Sequence, residues 1–492
     1  MAPVLDEKTA YTAVPGHAGA DGGWAGEAEK GQTRPPASIK APRRPWAALT
    51  AARVGFLVVL ALLVGGHVLY ARRGLSCRHH HRQNPPAELT IEERVDKILT
   101  STPLIDGHND FAIAIRWLFN NHINSPDFRK GFETDGLPQH VDLPRLRAGK
   151  NGGAFWSVFT SCPENASDFS DATYAESVRD TLQQIDVVTR LRDAYPDVFS
   201  QNVNGSTALA AFERGQLISP LGIEGLHQIG NSAANLRRYH ALGVRYATLT
   251  HNCPNRYADA ALWENPLRKA PRYWNGLSPA GRALVREMNR LGVIVDLSHT
   301  SVDTMEDVLG ARPDDEAGWH GSVAPVIFSH SSAHSVCPHP RNVPDHVLDL
   351  VRQRNGLVMV NFAPDFVSCH WAEEEDDKKD SRGIPAFYPP NSTLAHVATH
   401  VLHIGRRIGF AHVGFGSDFD GIASTPAGLD DVAAYPALVA ELLRRGVTDA
   451  EAAQVVGGNL LRVWADVDAV ALALQAQGVP PLEDDLPPVR WE

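Results

Sequence analysis

The sequence predicts an α/β chain: a (β/α)8 barrel of the TIM type, preceded by a transmembrane helix. Three features point there. Short apolar runs alternate eight times with longer amphipathic stretches. Almost every run ends, on its C-terminal side, in a His, Asp or Glu. Ahead of the runs lies one stretch of 18 residues, 54–71, without a formal charge.

From the N-terminus, residues 1–50 are rich in Gly, Ala, Pro and charge and carry no apolar period, so a disordered tail is expected. VGFLVVLALLVGGHVLYA (54–71) would rise about 27 Å as a helix, close to one bilayer core. A cleaved signal peptide fits less well: the preceding tail is too long for a charged n-region, and no small-x-small cleavage site follows. A signal anchor is therefore expected, with residues 72–88 as a stalk. Lys40, Arg43, Arg44 and Arg53 on one side nearly balance Arg72, Arg73, Arg78 and Arg82 on the other. The sequons at Asn165, Asn204 and Asn391, together with pairable cysteines, tip the orientation to single-pass type II, with the bulk of the chain lumenal or extracellular. The His79-His80-His81 run reads as part of a solvated basic stalk. LPPVRWE at the C-terminus is not apolar, so no GPI anchor is expected.

The barrel domain is expected over residues 89–480. Its runs are PLIDGHND (103–110), GGAFWSVF (152–159), ISPLGIEG (218–225), RYATLTHN (245–252), VIVDLSH (293–299), PVIFSHS (325–331), GLVMVNF (356–362) and VGFGSDFDG (413–421). Continuous apolar runs suit strands buried on both faces, as in a parallel sheet. Amphipathic stretches such as 176–195, 279–292 and 392–409 supply the covering helices. An open doubly wound sheet is the alternative, but no G-x-G-x-x-G follows any run and no P-loop occurs. The net charge of -11 comes without a basic stripe, which argues against nucleic acid as a partner. None of the five cysteines forms a C-x-x-C pair, so a cysteine zinc site is not expected.

In such a barrel the C-terminal edge of the strands is the functional face, so residues distant in sequence converge there. His108 and Asp110 alternate at the end of the first run and can meet one metal. Glu224 ends the third run, His299 the fifth and His330 the sixth. Each alone is more often a satisfied polar residue than a ligand; five at one edge reverse that reading. Three imidazoles with two carboxylates suit Zn²⁺. Five ligands exceed one open tetrahedral site and match two metals sharing a carboxylate, for which Glu224 is the natural bridge. Asp418, in GSDFDG, is either a sixth ligand or the carboxylate that carries a proton to a leaving amine; Asp420 would face the same side. His251 ends the fourth run and could steady an oxyanion, or else bond a backbone carbonyl structurally.

These residues resemble the membrane (renal-type) dipeptidase family, within the metal-dependent amidohydrolase superfamily. IDGHND, GAFWSVFTSC, GIEGLH, GVRYATLTHNC, MNRLGVIVDLSHTS, APVIFSHSSAHSVCPHPRNVPD, VMVNF, VGFGSDFDG and GNLLRVW carry the resemblance from about residue 90 to 465. It implies zinc ligands His108, Asp110, bridging Glu224, His299 and His330, with His251 contacting substrate and Asp418 as acid–base. It adds Arg341, in HPRNVP, as a carboxylate anchor whose guanidinium fork would restrict substrates to short peptides with a free C-terminus. It also implies bridges Cys162–Cys253 and Cys337–Cys369, and leaves Cys77 free, lipidated or intermolecularly paired. Two departures stand out. The anchor is N-terminal rather than GPI, and the segments LHQIG and ADAALWENPLRKAPRYWNG (258–276) differ from the usual pattern.

The expected chemistry is hydrolysis of dipeptides at a two-zinc centre, with a metal-activated hydroxide as nucleophile, His251 supporting the oxyanion and Asp418 relaying the proton. Simple dipeptides, Cys-Gly conjugates and D-residue dipeptides all fall within what the resemblance allows, and a homodimer is left open. Amidohydrolases of cyclic amides or phosphotriesters often use a carboxylated lysine, yet no Lys ends any run. A serine hydrolase would need G-x-S-x-G, which is absent. A non-catalytic binding protein on the same barrel would have tended to lose a ligand, and none is missing.

Overall fold

The computed structural model describes residues 89–371 and 382–486. The tail, the 54–71 span, the stalk and Cys77 lie outside these residues. Among the described residues no helix is long and apolar enough to cross a membrane.

Eight parallel strands form one sheet in sequential order. They are β1 (Leu104–Asn109), β2 (Asn151–Ser157), β3 (Leu221–Glu224), β4 (Val244–Thr248), β5 (Ile294–Asp296), β6 (Ile327–Phe328), β7 (Leu357–Val360) and β8 (Val413–Phe415). Six fall inside one of the eight apolar runs, and β2 and β4 each begin one residue ahead of theirs. The barrel closes where Asn109 bridges Phe419: the Asp110 N–H donates to the Phe419 carbonyl (2.9 Å) and the Asp418 N–H to the His108 carbonyl (3.1 Å). The expected barrel is therefore observed, and its seam passes through three predicted site residues, His108, Asp110 and Asp418.

The covering helices start and stop where local chemistry says they should. Asp171–Ala194 follows β2, and Leu394–Ile408 follows β7 behind the N-cap Thr393, whose hydroxyl accepts from the His396 N–H. Pro279–Leu291 follows β4. Ser278 caps it by accepting from the Gly281 N–H, and Gly292 ends it at φ 83°, a left-handed conformation that suits glycine. Leu284, Val285 and Met288 turn inward from this helix.

Inside the strands, Ile105, Phe155, Tyr246, Ile294, Ile327 and Met359 pack into one cluster with Trp464 and Val467 of the last helix, Asn459–Ala476. Gly457, just ahead of that helix, lies against Pro103 and Ile105 at the start of β1, so this packing plugs the N-terminal end of the barrel. The opposite end is left for polar groups. The packed unit also runs past residue 480: the Asp484 carboxylate accepts from Ser232 Oγ and from the N–H groups of Ala233 and Ala234, at the start of the helix after β3.

Candidate active site

Every run that ends in a polar residue delivers it to the C-terminal mouth. His108 Nε2 lies 3.1 Å from Asp110 Oδ2 and 3.6 Å from Glu224 Oε1. The same Glu224 oxygen lies 2.9 Å from His299 Nε2 and 3.2 Å from His330 Nε2. Asp418 Oδ1 is 4.0 Å from His108 Nε2. One carboxylate oxygen thus stands between imidazoles from β1, β5 and β6.

Protonation shows what the cluster is built to hold. Asn252 Oδ1 is 2.9 Å from His299 Nδ1 and can only accept, so the proton sits on Nδ1 and Nε2 presents a lone pair. Ser329 Oγ donates to Asp296 (2.5 Å), so it accepts from His330 Nδ1 (2.8 Å), and His330 Nε2 is also a lone pair. These two Nε2 atoms are 2.9 Å apart and both face Glu224. Two imidazole lone pairs and a carboxylate oxygen thus converge on one point, an arrangement that a bound cation would satisfy. Asp110 Oδ1, buried without a partner, adds a further open acceptor.

Electrostatics agrees. Burial holds His299 and His330 well below the ordinary imidazole range, helped by Arg341 and neighbouring histidines, so both are neutral at pH 7. Burial also lifts Glu224 and Asp418 above the usual carboxylate range, with the Asp110 charge adding to the rise. His108 is pushed down by burial, but Glu224 and Asp110 outweigh this and raise it to about 10. The raised values of His108, Glu224 and Asp418 share one cause, carboxylates crowded together in a buried site. The residues present fit a divalent metal with nitrogen and oxygen ligands.

The backbone is held in an uncommon conformation at the same places. His299, Asp418 and Asp420 have φ of 63°, 66° and 70°. Left-handed non-glycine residues cost about 1–3 kcal/mol each and persist where the surrounding structure imposes them. Here they turn the chain at the ends of β5 and β8. At Gly421 a Cβ would collide with the Asp110 carboxylate, so only glycine lets that turn close over the site.

That turn separates Asp418 from Asp420. Extended geometry would put both on one side, but the positive φ values end the extension. Asp418 faces the cluster, its Oδ2 accepting from Asn361 Nδ2 (3.0 Å). Asp420 turns away and accepts from the His140 N–H (2.7 Å).

His251 lines the cavity beside the cluster, its ring 4.4 Å from that of His299. Burial holds it well below the ordinary range. Arg341 is placed less directly than its expected role suggests. It is 1% exposed, and its guanidinium carbon sits 5.1 Å from the Phe366 ring, which lines the cavity in its stead. Its Nε and Nη2 have no partner. Both bridges, Cys162–Cys253 and Cys337–Cys369, are present, and the first sits beside His251.

The cavity over the cluster has a volume of about 570 Å³. Among the described residues it is lined by no Lys or Arg, and by two carboxylates outside the cluster, Glu264 and Asp365. Sequence reading missed Glu264. It sits on the turn of a hairpin (Leu262–Trp263 with Arg268–Lys269) inside the divergent 258–276 segment, which brings Oε2 to 3.8 Å from His251 Nδ1. No spacing rule places that loop. Asn252 and Ser329, by contrast, adjoin His251 and His330 in sequence and were legible as neighbours, though not as the groups that fix a tautomer.

A closed parallel barrel with imidazoles and carboxylates gathered around a cation position at its C-terminal mouth defines a metal-dependent hydrolase of the amidohydrolase type. The sequence profile described as membrane dipeptidase, peptidase family M19, matches residues 92–478. Dipeptidase aclJ of Aspergillus oryzae is 44% identical over 396 residues, covering 80% of this chain and 84% of that protein. Dipeptidase tcpJ of Claviceps purpurea is 42% identical over 387 residues, covering 79% and 82%. The crystal structure of dipeptidase AC, a metallopeptidase of family M19, is 26% identical, with a TM-score of 0.59 over 74% of this chain and 98% of that one. The chain belongs to the membrane dipeptidase family, M19, and is a metallodipeptidase.

Proposed function

We propose that the chain hydrolyses dipeptides bearing a free C-terminal carboxylate at a two-zinc centre. His108 and Asp110 would hold one ion, His299 and His330 the other, and Glu224 would bridge them. The observation that carries this is the single Glu224 oxygen lying 2.9–3.6 Å from three imidazole nitrogens of separate strands. Zinc bound there would supply Lewis-acid polarisation of the scissile carbonyl and lower the pKa of water towards about 7.

The chain's own groups do the rest. Asp418, with Oδ2 held by Asn361 and Oδ1 facing the cluster, is placed to take the proton lost by the attacking water and hand it to the departing amine as the C–N bond breaks. His251, on the cavity wall, supports the oxygen on which negative charge develops. The unpaired Nε and Nη2 of Arg341 are the donors left for the substrate carboxylate. We further propose the 54–71 span as a type II anchor. The exposed positions of Asn165, Asn204 and Asn391 support their reading as glycan acceptors.

The test is hydrolysis of Gly-Leu by protein as isolated, after chelation, and after zinc is restored, with metal counted per chain. Loss and recovery of turnover with two zinc ions per chain is expected. One ion per chain removes the binuclear reading. No turnover in the zinc-loaded protein removes the proposed activity.

A further inference from the structure

Beside the catalytic cavity lies a second one of about 420 Å³, and Ile113, Trp117, Phe159 and Ser161 line both. Gln184, on the long helix after β2, also lines it. This side chain is 0% exposed, and neither its Oε1 nor its Nε2 has a partner. Its neighbours on the same helix are satisfied: Thr181 Oγ1 bonds Gln228 Nε2 (2.9 Å), and Gln183 Oε1 accepts from Arg116 (2.6 Å). Folded proteins seldom leave both ends of a buried carboxamide unmatched, and a leucine would fill this helix position without that cost.

The surroundings indicate what Gln184 is matched to. Ile113, Trp117 and Phe159 offer apolar walls to methylene groups. At the rim stand Glu164, Glu176 and Asp180 with Arg116, which already bonds Gln183 and lies 3.7 Å from Asp180. Arg179 pairs with Glu176 and Asp180, so every nearby guanidinium among the described residues is already engaged and no cation there is free for an incoming carboxylate. A carboxylate would be repelled there. We infer that this cavity is a side-chain subsite of the enzyme and takes a substrate side chain ending in a carboxamide. Because Gln184 has no exposed surface, its side chain must turn into the cavity on binding; the substrate carboxamide oxygen would then accept from Gln184 Nε2 while its NH2 donates to Gln184 Oε1. The inference rests on the dipeptidase reading and narrows its substrate class.

The experiment compares kcat/KM for Gln-Gly and Gly-Gln with the Leu and Glu counterparts in the zinc-loaded, full-length enzyme, wild type and Gln184→Leu, with Gly-Gly as the reference. Wild type should favour the Gln dipeptide over its Leu counterpart roughly tenfold in one of the two orders, as two added hydrogen bonds imply, and should disfavour Glu. Gln184→Leu should erase that preference, leave Gly-Gly within about twofold and melt no lower than wild type, since a buried unpaired amide is gone. A wild-type ratio of Gln to Leu at or below one in both orders overturns the subsite, whether or not the variant folds. An unchanged ratio in folded Gln184→Leu does the same and makes Gln184 a structural residue. Failure of wild type on every dipeptide, Gly-Gly included, would instead refute the underlying activity.

Discussion

Replacing Asn252 by Ala removes the acceptor that holds the His299 proton on Nδ1, at 2.9 Å. The ring is then free to place its proton on Nε2, the nitrogen that faces Glu224 and His330. Loss of such an orienting partner typically costs 10- to 100-fold in metal affinity. The lower end applies here, because the ring keeps its packing on His251 at 4.4 Å. A loss of about tenfold, or about 1.4 kcal/mol, is expected at the site holding His299 and His330. The site holding His108 should be unchanged, because the Nδ1 partner of His108 is Tyr246 (2.7 Å). Asn252 is partly exposed, so the fold should lose less than about 1 kcal/mol. Zinc titration of the metal-free protein against a chromophoric chelator reads both proposed sites. Asn252→Asp, which keeps an acceptor, should retain the affinity. Equal zinc affinity in folded Asn252→Ala and wild type would refute the tautomer argument.

Asp418→Asn should keep its metal yet lose about 10²–10⁴ in kcat on Gly-Leu, the range for a lost acid–base group; near-normal turnover would end its proton-carrying role. Glu287, 1% exposed, is pushed up by burial, but hydrogen bonds from Arg290, the Leu482 N–H and Arg237 prevail and hold it below the usual range. Its stabilisation is therefore present above the unfolded value and lost as pH falls through the folded one. Glu287→Gln should cost about 3 kcal/mol at pH 7, the low end for a buried pair because both arginines reach solvent. Denaturant melts at pH 7 and in acid should show that gap closing, and a gap constant with pH would count against it. Cys253→Ser opens a bridge of sequence separation 91 and should cost about 4–5 kcal/mol by chain entropy, read from denaturant midpoints with the 337–369 bridge intact.

The barrel and the gathering of histidines and carboxylates at its mouth were legible because both are written locally. A strand buried on both faces needs a continuous apolar run, and the residue ending that run arrives at the functional edge whatever the helices do. Knowing that His108, Glu224, His299 and His330 each end a run was enough to place them together. Arg341 ends no run, and only family resemblance singled it out.

What the tertiary structure alone decided is how separate loops meet. Extended alternation could not separate Asp418 from Asp420, because the chain leaves the extended region there, with φ of 66° and 70°. The His299 and His330 tautomers depend on Asn252 and Ser329, groups whose direction is set by packing. Glu264 reaches the cavity on a hairpin, and Phe366, packed against Arg341, lines that cavity where Arg341 itself does not. Residue order along a strand is a property of the chain; the approach of one loop to another follows from side chains packing across the whole barrel mouth, and no single segment encodes it.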